Sequence, residues 1–347
     1  MTHRARQLPQ TGDRPGASPT MLGPDSVHDA RSCAPSIPLP VPLRRPGGRA
    51  PGLSLRQVVG IVFSLFIFAQ YSWAGATLDR IKQSGNVVIA YRTSAVPFSY
   101  LSGDGRPIGY AIDICQHLVQ AIAQRIGARS LGVSYLVVTS STRISSIAES
   151  KADLECESTT NTAERRRQVA FTIPHYITGA RYLVRKESAI EKLSDFRGKT
   201  LVSTAGTTPL KAIRMVDQEF MVGIHIGEVP DHVRGIEMVE NGEADGFVMD
   251  EVLLAGLTAM RPDPTELKIV GKYLTVEPLA IMLTRTDPEL KRVLDDEMKR
   301  LIRTGEAAAL YERWFMKPIP PKDRSLALPM PYLLRDFWRY PSDWVPD

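Results

Sequence analysis

Residues 155–176 read ECESTTNTAERRRQVAFTIPHY, and this stretch places three hydroxyl side chains and an arginine directly after a predicted strand. Ser158, Thr159 and Thr160 offer hydroxyl groups and backbone N–H donors, and Arg165 offers a planar guanidinium that can bind a carboxylate through two parallel hydrogen bonds. These groups predict a binding site for a small carboxylate. The same residues also fit a threonine-rich turn that caps the start of a charged helix, and both interpretations stay open at this point.

Two motifs of the chain resemble those of the polar-amino-acid-binding proteins of ABC importers. The first motif is ER followed by RQVAFTIPHY, and its flanking pattern ECxSTTNTxER resembles that of the glutamate- and aspartate-binding branch. The second motif is TGEAAALYERWFMKPIPP at Thr304 to Pro321. The resemblance extends from Thr77 to about Lys322. It implies an α/β, two-lobed periplasmic binding protein fold with a hinge and a ligand cleft between the lobes. The residues that carry the first motif are Glu164, Arg165, Val169, Phe171, Pro174 and Tyr176.

The composition fits a globular chain with neutral folded parts. The chain has 347 residues, 43% of them hydrophobic and 23% charged, which is enough for two lobes. Its formal net charge of +5 comes from residues 1–56, where eight arginines stand against three aspartates, so 35 basic and 35 acidic residues remain for the rest. A nucleic-acid-binding protein would carry its basic excess on the folded domain, so the neutral balance argues against this class.

The N-terminal region has the composition of an extension followed by a secretory signal. Residues 1–56 contain ten of the 26 prolines and show no apolar period, which predicts a disordered segment or an over-long gene start. Residues 57–76 then have an apolar centre at Val58 to Ala69 and the small residues Ala74, Gly75 and Ala76, which predict a signal peptide cleaved after Ala76 and a periplasmic location. The alternative is a membrane anchor, although about twelve strongly apolar residues are fewer than the roughly twenty that a spanning helix needs.

Three cysteines leave two alternatives for the folded region. Cys33 falls in the extension, and Cys115 and Cys156 remain. In an oxidising periplasm such a pair can form a disulfide, but free cysteines are also common in protein cores, so both states stay open. No zinc-type spacing is present, and we expect no metal and no cofactor.

Strands and helices are predicted to alternate from Thr77 onward. Apolar runs predict strands at Val87 to Tyr91, Val133 to Val138 and from Leu201, and apolar residues at intervals of four predict a helix at Tyr110 to Ile126. A further helix is predicted from Pro288 to Ile302. We expect residues 77–176 and 276–347 to form the first lobe and residues 177–275 to form the second, with the two chain ends in one lobe.

A weak internal repeat places one polar residue in each lobe. The segments IAESKAD at 147–153 and MVENGEAD at 238–245 each end in Ala-Asp and are followed by a predicted strand. Five positions after the aspartate stands Ser158 in the first segment and Asp250 in the second. Because ligands of open α/β sheets bind beyond the carboxyl ends of the strands, we expect these two residues to face each other across the cleft.

The resemblance assigns the α-groups of a bound amino acid to two pairs of residues. By matched motif, Arg165 with Thr160 holds the α-carboxylate, and Asp250 with Ser158 holds the α-ammonium. An acidic amino acid carries two carboxylates and one ammonium, and isolated charges are too costly to bury. The site of such a ligand therefore needs about two cationic clusters and one anion.

The second cationic cluster comes from residues matched in the same way. Arg92, in YRTSAVPFSY, and Arg143, in TSSTRI with Ser140, match positions that hold the side-chain carboxylate. His232, in PDHVRG, matches a histidine that contributes there, although alone it also fits a solvated histidine. In STAGTTPLKAI, Thr204 and Thr207 precede a predicted helix start, whose N–H groups and dipole favour an anion; a simple N-cap is the alternative.

Glu157 departs from the pattern of the acidic-amino-acid branch, which usually has glycine in ECGSTT. A carboxylate that pointed into this site would repel an acidic ligand. Because successive side chains of a strand alternate between its faces, Glu157 is expected to point away from the side that Ser158 occupies. We therefore expect Glu157 to face outward.

The sequence favours one hypothesis over two alternatives. The leading hypothesis is a monomeric periplasmic receptor that closes two lobes on L-glutamate or L-aspartate and delivers it to ABC transporter permease subunits. The first alternative is an enzyme similar to cyclohexadienyl dehydratases on the same fold, in which Glu157 is a cleft acid or base. The second alternative, the sensor ectodomain of a longer receptor, would need a membrane span after Asp347.

Overall fold

The computed structural model describes residues 75–345, in which strands and helices alternate as the sequence predicts. The predicted extension at residues 1–56 and all but the last two residues of the predicted signal peptide at 57–76 lie outside the described residues. Among the helices of residues 75–345, none is long and apolar enough to cross a bilayer.

The bounds of the elements are as follows. The α-helices of the described residues are α1 (Ala76–Ser84), α2 (Tyr110–Ile126), α3 (Arg143–Ala148), α4 (Ala163–Arg166), α5 (Thr208–Phe220), α6 (His232–Glu240), α7 (Glu251–Ala259), α8 (Pro288–Thr304), α9 (Glu306–Tyr311) and α10 (Tyr332–Phe337). The strands are β1 (Asn86–Tyr91), β2 (Ser94–Ala95), β3 (Ser99–Leu101), β4 (Pro107–Ile108), β5 (Gly132–Val137), β6 (Leu154–Glu155), β7 (Ala170–Phe171), β8 (Tyr176–Thr178), β9 (Ala180–Arg185), β10 (Thr200–Thr204), β11 (His225–Val229), β12 (Gly246–Asp250), β13 (Leu267–Val270), β14 (Glu277–Leu279) and β15 (Met282–Leu283).

Two five-stranded sheets form the centres of two lobes. The first sheet has the order β5-β1-β6-β15-β7, and the second has the order β11-β10-β12-β9-β13. In each sheet one strand lies between two parallel neighbours, β1 in the first and β10 in the second, and antiparallel strands complete the other side. The carboxyl ends of the parallel strands therefore supply loops to one edge of each sheet, which is where α/β proteins bind ligands.

The chain passes between the two sheets twice, and the two passages pair with each other. Strand β8 lies between β7 of the first sheet and β9 of the second, and β14 lies on the way back to β15. The two strands are antiparallel, with Tyr176 opposite Leu279 and Thr178 opposite Glu277. This short ribbon is the hinge that connects the lobes.

Helix α2 carries the apolar stripe that the sequence predicts. Ile114, Leu118 and Ile122 are fully or almost fully buried, because residues four apart lie on the same face of a helix. This face packs against α8, which comes from the other end of the chain. The first lobe therefore contains both ends of the described chain.

The internal repeat has a structural reason. The backbone N–H of Asp153 donates to the carbonyl of Val88, and the N–H of Val88 donates to the Asp153 carboxylate, each at 2.8 Å. Asp245 makes the same pair of 2.8 Å bonds with Thr200 in the second lobe. In both lobes an aspartate thus fixes the start of a strand against its parallel neighbour, and the strand then leads to a polar residue at the cleft.

The two cysteines of the folded region are bonded to each other. The Cys115–Cys156 disulfide joins α2 to the residue after β6, with a Cα–Cα distance of 6.3 Å. Both residues are buried in the first lobe. The sequence left the bonded and free states open, and the structure shows the bonded state.

Replacing both cysteines by serine is expected to lower the free energy of unfolding by about 2–4 kcal/mol, because the disulfide closes a loop that becomes free in the unfolded chain. Urea denaturation of the double variant, with the single variants as controls for an unpaired thiol, measures this change. An unfolding midpoint equal to that of the wild-type protein would contradict the prediction.

Candidate functional site

A buried cleft lies between the lobes, beyond the carboxyl ends of the central strands. Arg92 follows β1 directly in the first lobe, and Asp250 ends β12 in the second. Of the ten residues that the sequence proposes for the site, seven line this cleft. They are Arg92, Arg143, Ser158, Thr160, Thr207, His232 and Asp250.

The other three proposed residues lie beside or behind the cleft. The Ser140 hydroxyl accepts a 2.6 Å hydrogen bond from Arg92 Nη1, and Thr204 Oγ1 lies 2.7 Å from His232 Nδ1. Arg165 lines an adjoining cavity that shares Thr160 with the cleft. Ser140 and Thr204 therefore orient residues of the cleft wall.

The prediction that Glu157 points outward is wrong. Its carboxylate is fully buried and forms an ion pair with Arg143, and Oε2 lies 3.5 Å from Arg92 Nη1. Side chains alternate between the two faces only within a strand, and β6 ends at Glu155. The chain bends at Glu157, so the alternation does not extend to this residue. Burial alone would raise the pKa of Glu157, but Arg143 and Arg92 outweigh it and hold this pKa well below its usual range.

Glu155 is a second buried carboxyl group beside Glu157. Burial, followed by the charge of Glu157, raises the pKa of Glu155 well above its usual range, which favours the neutral form of Glu155. The Thr159 hydroxyl is the donor to both carboxyl groups, at 2.7 Å to Glu155 Oε1 and 3.1 Å to Glu157 Oε1. Glu157 is thus the ionised member of the pair.

His232 connects Arg92 to the second lobe. Nη1 of Arg92 lies 3.0 Å from His232 Nε2, and since a guanidinium only donates, Nε2 is the acceptor. Nδ1 then carries the proton and donates to Thr204 Oγ1. Burial, followed by the charge of Arg92, lowers the pKa of His232 well below its usual range, which keeps the ring neutral.

Asp250 presents an unpaired oxygen to the cleft. Its side chain is buried, and its Oδ1 has no hydrogen-bond partner among the described residues. Burial, followed by the nearby Glu277, raises the pKa of Asp250 well above its usual range, although Arg143 opposes this. A buried oxygen without a partner is costly, so this position fits a ligand group that donates hydrogen bonds and carries positive charge.

Arg165 bridges the two lobes. Its Nη1 donates to the carbonyl of Thr160 at 2.9 Å, and its Nη2 donates to the carbonyl of Gly206 in the second lobe at 3.3 Å. Burial and the nearby Arg143 lower the pKa of Arg165 to about 10, so it remains charged at neutral pH. Gly206 has a φ of +76°, and a Cβ there would lie 2.9 Å from the carbonyl oxygen of Ser140, so only glycine permits this close approach.

Two polar residues at the lobe boundary were missed by sequence reasoning. Thr208 Oγ1 donates to Glu277 Oε2 at 2.8 Å, and Thr160 Oγ1 lies 3.1 Å from Thr208 Oγ1, which accepts this bond. Thr208 directly follows the proposed Thr207 in STAGTTPLKAI, so this motif could have predicted Thr208 as well. Glu277 stands in the hinge strand β14, and no motif marked it.

Thr207 combines the two roles that the sequence left as alternatives. Its hydroxyl accepts from the N–H of Leu210 as the N-cap of α5 and donates to the carbonyl of Thr204 at 2.7 Å. The same residue lines the cleft, so the N-terminus of α5 points towards it. Among residues 75–345, no group of three or more histidine, cysteine, aspartate or glutamate side chains is arranged to hold a metal ion.

Known proteins are similar to this chain in sequence and in fold. A model of the bacterial extracellular solute-binding proteins, family 3, matches residues 87–317. The glutamate/aspartate import solute-binding protein of Salmonella typhimurium is 34% identical over 270 residues, which cover 78% of this chain and 89% of that protein. The L-glutamate/L-aspartate-binding protein of Pseudomonas aeruginosa is 34% identical over 295 residues, which cover 85% and 97%.

A solved structure supports the fold independently. A mutant of ArgBP from T. maritima has a TM-score of 0.62 and 24% identity, and the match covers 69% of this chain and 99% of that chain. At this identity the likeness shows the fold alone. Together with the two central sheets, it confirms the predicted α/β fold with two lobes.

Proposed function

Since this chain belongs to family 3 of the bacterial extracellular solute-binding proteins, we propose that it captures L-glutamate or L-aspartate between its lobes and delivers it to the membrane subunits of an ABC importer. The names of the Salmonella and Pseudomonas relatives support this ligand class. The observation that carries the proposal is the buried Asp250 oxygen, which has no partner within residues 75–345 and lies in a cleft that also holds arginines from the opposite lobe. This arrangement suits a small molecule with both positive and negative groups.

The proposed ligand is held at both ends. Asp250 and Ser158 bind the α-ammonium, and Arg165 with Thr160 binds the α-carboxylate, supported by the N-terminus of α5 at Thr207. The distal group of the ligand lies towards Arg92 and Arg143, where His232 and Ser140 hold Arg92 in place. Thr204 contributes through its bond to His232.

The protein acts by binding and release rather than by catalysis. Both curated relatives described above are named as binding or import proteins. The dehydratase hypothesis rested on Glu157, whose carboxylate is held by two arginines. We further propose that the receptor is a monomer, that residues 57–76 direct it to the periplasm, and that its partners are permease subunits.

Isothermal titration calorimetry of the purified protein, freed of endogenous ligand, tests the proposed function. L-Glutamate and L-aspartate are expected to bind with a one-to-one stoichiometry, and D-enantiomers, nucleotides and sugars are expected not to bind. A protein that binds no acidic amino acid, or that converts prephenate or arogenate to product, would contradict the proposal.

Binding of an amino acid is expected to release protons from the site. The pKa of Asp250 is raised in the free cleft, and a bound ammonium would lower it, so Asp250 loses its proton on binding and affinity rises with pH below the free-state pKa. Calorimetry in buffers of different ionisation enthalpy measures this release. The release should disappear in Asp250→Asn, and an unchanged release would assign it to another group.

A further inference from the structure

Glu157 stands between the two arginines assigned to the distal group of the ligand. Its carboxylate pairs with Arg143, lies 3.5 Å from Arg92 Nη1 and is fully buried. Thr159 adds a hydrogen bond at 3.1 Å. A carboxylate with these partners is fixed in place and keeps its charge, which its lowered pKa reflects.

The net positive charge at the distal position is smaller than two arginines alone would give. Arg92 and Arg143 supply two positive charges and Glu157 removes one, while His232 and Glu155 are neutral because burial suppresses their charged forms. One net positive charge therefore remains. The donors are also partly used, since Arg143 Nη1 binds Glu157 and Arg92 Nη1 binds Ser140 and His232.

The Arg143 guanidinium nevertheless keeps a donor for a ligand. Arg143 Nε is buried and has no hydrogen-bond partner among the described residues. Such an N–H group can donate a hydrogen bond either to a carboxylate oxygen or to an amide carbonyl oxygen. The distal position can thus hydrogen-bond an acid or an amide, and the charge of Glu157 decides how strongly the two are distinguished.

We propose that Glu157 determines the ligand specificity of the cleft by acting as a built-in counter-ion of Arg92 and Arg143, which narrows the preference for an acidic over an amide side chain. This inference rests on the proposed function, because it concerns the ligand of the same site. A like charge beside the ligand carboxylate penalises glutamate but not glutamine. Glutamine and asparagine therefore bind the same cleft and compete there with glutamate and aspartate.

The test compares glutamate with glutamine on wild-type protein, on Glu157→Gln and on Glu149→Gln. Glu157→Gln keeps the size of the side chain and removes its charge, so the ratio of glutamate affinity to glutamine affinity should rise by about tenfold or more. Glu149 is exposed and pairs with Lys151, so Glu149→Gln makes the same change in net charge away from the cleft and should leave the ratio unchanged.

A second pair of variants keeps the test valid if Glu157→Gln leaves its buried arginine partners unpaired and fails to fold. Removing both members of a buried ion pair avoids an uncompensated charge. Arg143→Met combined with Glu157→Gln restores one net positive charge and should return the ratio to about the wild-type value. Arg143→Met alone leaves no net charge at the distal position and should lower the ratio of glutamate affinity to glutamine affinity.

The outcomes separate this inference from the proposed function. If wild-type protein binds both amino acids and Glu157→Gln leaves their ratio unchanged, the specificity role of Glu157 is refuted and the receptor function stands. Tighter wild-type binding of lysine or arginine than of glutamine would also refute it, because Glu157 would then pair with a ligand cation. If neither glutamate nor glutamine binds wild-type protein, the proposed function itself fails.

Discussion

Arg165→Ala is expected to weaken the binding of every amino acid ligand by about 100-fold or more. Removing one partner of a buried ion pair costs about 3–5 kcal/mol, and about 1.4 kcal/mol corresponds to a factor of ten in affinity. Arg165 also donates to the carbonyls of Thr160 and Gly206 and so joins the two lobes, and losing these two hydrogen bonds adds to the loss of affinity. Titration calorimetry of the variant with glutamate and aspartate measures the effect.

The control for this prediction lies two residues further along the chain. Arg167 is exposed and lies outside the cleft, so Arg167→Ala changes the net charge equally and should bind ligand as the wild-type protein does. Thermal unfolding of both variants separates a binding defect from a folding defect. An affinity of Arg165→Ala within a few-fold of wild type would remove Arg165 from the site.

Asp250→Asn is expected to weaken the binding of amino acids by about 100-fold or more while sparing a dicarboxylate such as glutarate. Only the amino acid carries the ammonium that the Asp250 carboxylate neutralises, and removing one partner of a buried ion pair costs about 3–5 kcal/mol. Burial raises the pKa of Asp250 and so favours its neutral form, which asparagine resembles in shape and charge. The fold should therefore tolerate the substitution.

The comparison of the two ligands is the measurement for Asp250. Competition titrations of glutamate and glutarate against the same variant give both affinities under one set of conditions. If both ligands weaken equally, Asp250 has a structural role and does not bind the ammonium.

Sequence reasoning recovers the regular elements because their periodicity is local. The helix predicted at Tyr110 to Ile126 has those bounds, and the strand predicted from Val87 begins one residue earlier. The helix predicted to end at Ile302 continues to Thr304, where a glycine in the left-handed conformation ends it. Local patterns of apolar residues thus determine where these elements begin and end.

The placement of site residues depends on tertiary contacts that the sequence does not encode locally. Glu157 was expected to face outward, but the bend after β6 turns it towards Arg92 and Arg143. Glu277 reaches the lobe boundary because β14 pairs with β8, and this pairing joins segments about one hundred residues apart. The disulfide has the same cause, since only the packing of α2 against the first sheet brings Cys115 to Cys156.

A crystal structure of the protein with L-glutamate tests the central claim most directly. We expect the ligand in the cleft, with its α-ammonium within hydrogen-bond distance of Asp250, its α-carboxylate against the Arg165 guanidinium and its distal carboxylate towards Arg92 and Arg143. A ligand bound outside this cleft, or one whose ammonium lies away from Asp250, would contradict the proposed site.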